Sequence, residues 1–259
     1  MLHSPIDPRR LTQDIVTIAT HAGAIIMEVF ASNFEVRAKA DKSPVTIADD
    51  RAETFIVERL DIAAPGIPIV GEEGYAAGLR PDISGGLFWL VDALDGTSEF
   101  TKRGTDFTVN IGLIEDGVPV LGVVHAPALG LTYWGSPDGA FRRVADAAVA
   151  EPIAARLPPA GGLIAAISKS HQTNEQDFLK AYPIKQVINR GSSLKFALVA
   201  AGEADIYPRL GPTSEWDIAA GHAVLAAAGG TVTTLDGGDI RYGKTNVLNP
   251  HFVARGRVA

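Results

Sequence analysis

Leu87-Phe88-Trp89-Leu90-Val91-Asp92-Ala93-Leu94-Asp95-Gly96-Thr97 is the stretch on which the reading of this chain turns. Its apolar residues, Leu87 to Val91, lead straight into an aspartate, and a second aspartate follows three positions later. A short apolar run bounded by turn residues reads as a buried strand. Carboxylates just past the end of such a strand lie where open α/β sheets bind ligands. The offset between Asp92 and Asp95 lets one turn carry both carboxylates, with the Leu94 carbonyl between them as a further oxygen ligand. Gly96 allows a tight turn that brings Thr97 back toward the same point.

Two more acidic clusters stand out on either side. Glu72-Glu73 follows the apolar run Ile67 to Val70, another buried strand. Trp216-Asp217 lies near the start of a long helical pattern, Glu215 to Ala228. Oxygen-only ligands in this number suit a hard cation such as magnesium, which takes near-octahedral oxygen coordination and keeps places for waters and substrate phosphate. Each cluster also has a plainer explanation. A Glu-Glu pair is ordinary in a solvated loop. Asp49 stands three residues after Thr46 and Asp217 three after Ser214, and both fit a capping box with Asp in place of Glu or Gln. Asp95-Gly96 fits a simple turn. These explanations work one motif at a time and leave their occurrence together, in this order, unexplained.

The remaining pattern is that of a layered α/β protein. Asp7-Pro8 reads as a helix start, with Leu11, Ile15, Ile18, Ala22, Ile25 and Val29 at helical spacing behind it. Thr46 to Leu60 is a second helix with Ala48, Ala52, Phe55, Ile56 and Leu60 on one face, and Phe34 to Ala40 a short strand before it. Phe107 to Ile114 and Val118 to His125 flank Glu115-Asp116-Gly117, a hairpin signal, and Asp138-Gly139 marks another. The Ala- and Pro-rich stretch from Ala145 to Gly162 divides the chain into an α+β subdomain, 1–150, and an α/β subdomain, 151–259. Strands at 163–167, 184–188, 205–207 and 231–235 alternate there with helices at 175–181, 193–201 and 215–228.

Bulk properties narrow the function. The 259 residues carry a net charge of −7 and no run of like charges, which speaks against a nucleic-acid polymer as partner. Cysteine is absent, so disulfides, thiolate metal sites and a cysteine nucleophile are excluded. No stretch is apolar enough to span a bilayer, and the N-terminal residues do not read as a signal peptide. The cytoplasm is the expected location, with peripheral contact at the inner membrane face left open.

Gly71-Glu72-Glu73, Trp89 through Phe100 and Glu215 through Gly221 together resemble the signatures of the inositol monophosphatase superfamily. A finer match is to its branch of bacterial 3′(2′),5′-bisphosphate nucleotidases of the CysQ type. It is carried by Lys39 to Thr46, Asp106 to Ile111, Ser168 to His171, Gly191 to Phe196 and Tyr207 to Thr213. The resemblance implies an αβαβα sandwich. It also implies two or three magnesium ions on Glu72, Asp92, the Leu94 carbonyl, Asp95 and Asp217, with Asp49 and Glu73 at positions tied to a further metal or to orienting Thr97. Thr97, Asp49 and Glu72 form the implied catalytic group, and lithium inhibition is a family trait. The family usually has proline where this chain has Ala93, which removes a restraint on φ.

The implied reaction is hydrolysis of the 3′-phosphate of adenosine 3′,5′-bisphosphate, with 3′-phosphoadenylyl sulfate as a second substrate. The scissile phosphate is expected against Leu94, Asp95, Gly96, Thr97 and Asp217. Gly191-Ser192-Ser193 before a helix offers free N–H groups to an anion. Lys195 and Arg209 suit the phosphate that is not cleaved, and His171 the nucleoside. The plainer alternatives are an N-cap for the serines and solvated surface charge for the two cations. Hydrolysis of an inositol or sugar monophosphate on the same scaffold is the rival activity, and a non-catalytic nucleotide sensor the rival from another class.

Overall fold

The computed structural model describes residues 8–38, 44–145, 147–169 and 173–257. Its first element is helix α1 (Pro8–Phe30), with proline at the first helical position; the expected cap, Asp7, lies outside the described residues. A two-stranded ribbon, β1 (Val36–Ala38) and β2 (Pro44–Thr46), leads into α2 (Ile47–Ala63). Then come β3 (Ile69–Gly71), the short helix α3 (Glu72–Ala76), β4 (Leu87–Asp95) and the short helix α4 (Thr97–Thr101). An antiparallel meander follows: β5 (Thr108–Glu115), β6 (Val118–Ala126), β7 (Leu131–Ser136), β8 (Gly139–Val144) and β9 (Glu151–Ile153). With β3 parallel to β4, these strands form one seven-stranded sheet in chain order. Asp116 and Gly117, both at positive φ, make the turn between β5 and β6, as the Asp-Gly signal indicates.

The second sheet alternates with helices: β10 (Leu163–Ser168), α5 (Thr173–Leu179), β11 (Ile184–Arg190), α6 (Leu194–Ala200), β12 (Ile206–Arg209), α7 (Glu215–Ala227), β13 (Thr231–Thr234) and β14 (Phe252–Arg255). Its strand order is β11-β10-β12-β14-β13. The sequence pattern does not announce β14, which slots between β12 and β13 and pairs antiparallel with both. Nor does it announce β9, which belongs to the first sheet although it begins at residue 151.

Alternation along β4 sorts its side chains into two cores. Trp89 and Val91 face α1 and α2, among Ile15, Ile26, Ile56 and Leu60. Phe88 and Leu90 face the other way, into a core that also takes Phe196 of α6, Val224 of α7 and Tyr207 and Phe252 of the second sheet. A third core, Ile167, Leu179 and Val253 among it, lies under α5. The layers therefore run α1/α2, seven-stranded sheet, α6/α7, five-stranded sheet, α5. This is the αβαβα order that the family resemblance implies.

One close contact fixes the middle layer. Gly112 on β5, Gly122 on β6 and Gly135 on β7 are cross-strand neighbours and form a row without side chains. The backbone of α7 lies on that row. A Cβ on Gly122 would come within 2.4 Å of Ala220 O and 2.7 Å of Ala223 Cβ, and one on Gly135 within 2.6 Å of Ala223 O. The alanines of α7 are the matching half: Ala219, Ala220, Ala223 and Ala227 are small enough to meet a bare strand backbone. Gly122→Ala should therefore overpack this contact and destabilise the protein by about 1–3 kcal/mol, read as a fall of several degrees in Tm. An unchanged Tm would show that α7 can lift from the sheet at no cost.

Candidate active site

The β4 ladder is irregular between Asp92 and Asp95, where two residues on β4 have no partner on β5. Ala93, buried, sits in this irregular step. The carboxylate of Asp92 turns back to accept from the Leu94 N–H at 3.0 Å. Gly96 has a φ of 93°, and a Cβ there would press on Asp106 O at 3.0 Å. The chain then enters α4, whose first residue is Thr97.

Thr97 Oγ1 lies 3.0 Å from Asp49 Oδ1 and 3.1 Å from the Leu94 carbonyl. Its single proton is committed to these acceptors, which leaves its lone pairs for an incoming donor such as water. The other oxygen of Asp49 accepts from the backbone and hydroxyl of Thr46, at 2.7 and 2.8 Å, closing the capping box of α2. Both sequence readings of Asp49 hold at once: it starts the helix and it grips Thr97. Burial raises its pKa, and the bonds from Thr46 and Thr97 act against that rise.

Glu72 opens α3, so the Glu-Glu pair is the first turn of a helix and not an open loop. The N-terminus of that helix is held by Glu53 of α2, whose carboxylate accepts from Glu73 N at 2.9 Å and Gly74 N at 2.7 Å. Gly71 leaves room for it, since a Cβ there would meet the Glu53 carboxylate at 2.6 Å. Burial lifts the Glu53 pKa to about 7. The sequence reading passed over Glu53. Its signal was there, a second acid four residues after Asp49 on a helix face otherwise made of Ala48, Ala52 and Ile56.

Asp217, on the first turn of α7, accepts from Ser214 N at 2.8 Å. Carboxylate oxygens of Glu72, Asp92 and Asp217 lie within 4.8 Å of one another. Burial first, and repulsion from neighbouring carboxylates second, push Asp92 and Asp217 well above the usual carboxylate range. Three converging acidic oxygens, whose crowding raises the proton affinity of Asp92 and Asp217, fit a divalent cation, which would remove the repulsion. Asp95 stands outside this trio. Its Oδ2 accepts from Ser192 Oγ at 2.6 Å, Ser193 N at 2.9 Å and Asn110 Nδ2 at 3.3 Å. Glu73 is also outside it, half-buried beside Glu72.

The loop from the second half corrects one expectation. The N–H groups of Gly191 and Ser193 are not free for an anion: they donate to Asp106 Oδ2 at 3.1 Å and to Asp95. Ser193 is no side-chain cap either; its hydroxyl donates to the Asp217 carbonyl at 2.6 Å. The loop is thus a brace for the acidic site. Lys195 is not a surface charge. It is 3% exposed, donates to the carbonyls of Ser192 at 2.6 Å and Arg190 at 3.3 Å, and burial brings its pKa down to about 8. Arg209 is nearly buried and donates to Pro212 O at 3.0 Å. Asp95, Gly96, Ser192, Lys195, Arg209 and Asp217 line one cavity of about 150 Å³. His171 lies outside the described residues.

Residues 7–258 match the model of the inositol monophosphatase family. This chain belongs to that family. The family's fold is also what its solved members share with it. CysQ from Bacteroides thetaiotaomicron, described as a bacterial member of the inositol monophosphatase family, superposes with a TM-score of 0.80 at 33% identity, over 96% of this chain and 97% of that one. The Thermotoga maritima IMPase gives a TM-score of 0.77 at 25% identity, covering 94% and 91%. Among curated family members, the 3′(2′),5′-bisphosphate nucleotidase CysQ of Salmonella typhimurium is 43% identical over 249 residues, 93% of this chain and 98% of that protein. The Escherichia coli K12 protein of the same name is 41% identical over 248 residues. The chain is therefore an enzyme of a phosphatase family, similar over nearly its whole length to bisphosphate nucleotidases.

The mutual repulsion of the acidic trio gives a stability test. A carboxylate whose folded pKa is raised loses stability as pH climbs above its unfolded value near 3.9. Asp92→Asn keeps an oxygen for Leu94 N–H and removes that penalty. In chelator the variant should melt several degrees above the wild type, by an amount that grows with pH, and millimolar magnesium should no longer raise its Tm. A variant stabilised by magnesium as much as the wild type would take Asp92 out of the cation site.

Proposed function

We propose that this enzyme hydrolyses the 3′-phosphate of adenosine 3′,5′-bisphosphate with magnesium as cofactor, and accepts 3′-phosphoadenylyl sulfate as a second substrate. The observation that carries the reading is the cavity in which Asp217 and Asp95, at the edge of the acidic site, lie beside two cations, Lys195 and Arg209. A ligand with two phosphates has one for each end. The names of the CysQ relatives point the same way.

The work falls to the chain's residues as follows. Glu72, Asp92 and Asp217, with Asp95 and the Leu94 carbonyl beside them, would hold two or three magnesium ions. Bound magnesium supplies neutralisation of the charge on the transferring phosphoryl group. Thr97, its proton given to Asp49 or Leu94, accepts a hydrogen bond from the attacking water and aims it along the line of displacement. Glu72 or Glu73 takes up the water's proton. Lys195 and Arg209 hold the phosphate that stays, and so fix which phosphate faces Thr97.

Thr97→Ala leaves Asp49 its bonds to Thr46, so the helix start survives. The variant should lose about 10²-fold or more in kcat with KM little changed. A kcat within a few-fold of wild type would remove Thr97 from the reaction.

Substrate class is tested by phosphate release from adenosine 3′,5′-bisphosphate, 3′-AMP and inositol 1-phosphate side by side. Charge-assisted contacts to phosphate are worth about 1.5–3 kcal/mol each. Two of them should favour the bisphosphate over 3′-AMP by roughly 10²–10⁴ in kcat/KM. Preference for inositol 1-phosphate would overturn the nucleotidase reading and leave the phosphatase.

A further inference from the structure

Glu175 is an acidic side chain that the reaction above does not use and that still reaches the cationic end of the cavity, where its Oε1 comes to 4.0 Å from Arg209. It stands in the first turn of α5, in the outermost layer, and is 1% exposed. Its Oε2 accepts from Ser168 N at 3.2 Å, at the carboxyl end of β10, and its carboxylate faces Arg209, the last residue of β12. These parallel strands are neighbours, and Glu175 ties their ends together. Its Oε1 points at the Arg209 guanidinium, 4.0 Å away.

This corner holds polar atoms in excess of its internal bonds. Glu175 Oε1, Arg209 Nε and Thr213 Oγ1 are buried and have no hydrogen-bond partner among the described residues. Thr213 and Arg209 both line the cavity. Leaving such groups unmatched costs free energy, and a buried guanidinium without its counter-charge costs more. Lys195 adds to the strain, since it and Arg209 repel, while Glu175 attracts both. Arg209 is thus held by its own loop, through Pro212 O, with the Glu175 carboxylate 4.0 Å away on one side and Asp217 attracting it from the acidic site on the other.

We propose that Glu175 is a positioning residue: it sets the direction of the Arg209 guanidinium and thereby the enzyme's discrimination between ligands with two phosphates and with one. The inference rests on the reading that the cavity takes a bisphosphate nucleotide. Glu175 touches no substrate. It keeps Arg209 aimed into the cavity and offsets the repulsion between Arg209 and Lys195, so that the cationic end is assembled before the ligand arrives.

The test uses the full-length protein with magnesium and compares kcat and KM for adenosine 3′,5′-bisphosphate and 3′-AMP in the wild type, Glu175→Gln, Glu175→Ala and Arg209→Ala. Glu175→Gln keeps an oxygen for the Ser168 N–H and drops only the charge. It should fold, and its bisphosphate-to-monophosphate ratio in kcat/KM should fall at least about tenfold, the loss lying in KM for the bisphosphate. Adding Glu175→Gln to Arg209→Ala should then lower the ratio little further, because the two act through one group. A Glu175→Gln enzyme with the wild-type ratio, or one slowed equally on both substrates, overturns the proposal and makes Glu175 a strand clamp only. If Glu175→Ala fails to fold, the glutamine variant decides alone. A wild type with no preference for the bisphosphate sinks the substrate reading itself, and this inference with it.

Discussion

Van der Waals contact between the α7 backbone and the row Gly112, Gly122, Gly135 sets the spacing through the middle of the molecule. Helix and sheet normally keep a side-chain layer between them; here that layer is reduced to alanine methyl groups. The consequence at the site is direct. Asp92 lies where the regular part of the β4 ladder ends and Asp217 at the start of α7, and the closeness of helix and sheet brings their oxygens within 4.8 Å. Gly221, on the opposite side of α7, gives Phe196 of α6 the same closeness, since a Cβ there would meet the ring at 2.6 Å. The catalytic geometry is therefore a by-product of small residues far outside the cavity.

Around that spacing, helix starts do chemical work. Asp49 and Asp217 each occupy the third position of a helix and accept from the residue at its cap. The same carboxylates face Thr97 or the acidic trio. Glu53 repeats the arrangement at one remove by receiving the first free N–H groups of α3. Positive helix ends gather at one place and partly offset the crowding of acids there. Even so, Asp92 and Asp217 keep an appetite for protons that a divalent ion satisfies better.

Much of this was legible in the sequence because the signals were local. The apolar run ending on Asp92, the Asp116-Gly117 turn and the alanine-rich pattern behind Asp217 each specify their own structure within a few residues. The acidic residues of the site were legible for the same reason, as clusters beside recognisable elements. What was hidden depends on partners distant in the chain. Helices α3 and α4 have five residues each, too few to be set by propensity. Glu53 is an unremarked acid until α3 is placed against it. Lys195 reads as a surface charge until Arg190 and Ser192 wrap their carbonyls around it. Gly191 and Ser193 look like a ready anion cradle, and their N–H groups are spent on Asp106 and Asp95 from the other half.

The place of β14 has a consequence for how the enzyme comes into being on the ribosome. Phe252–Arg255 is threaded between β12 and β13, which have no direct bond to each other, and β12 meets β10 at a single pair. Until this late segment has emerged, the second sheet is two fragments. Tyr207 lacks its packing partner Phe252, and the sheet that carries Arg209 has no edge to close on. A nascent chain that already holds all the acidic ligands is thus still without the layer that braces α6 and α7. A chain cut short before residue 252 leaves the facing edges of β12 and β13 unpaired, and open strand edges of this kind invite association with other chains.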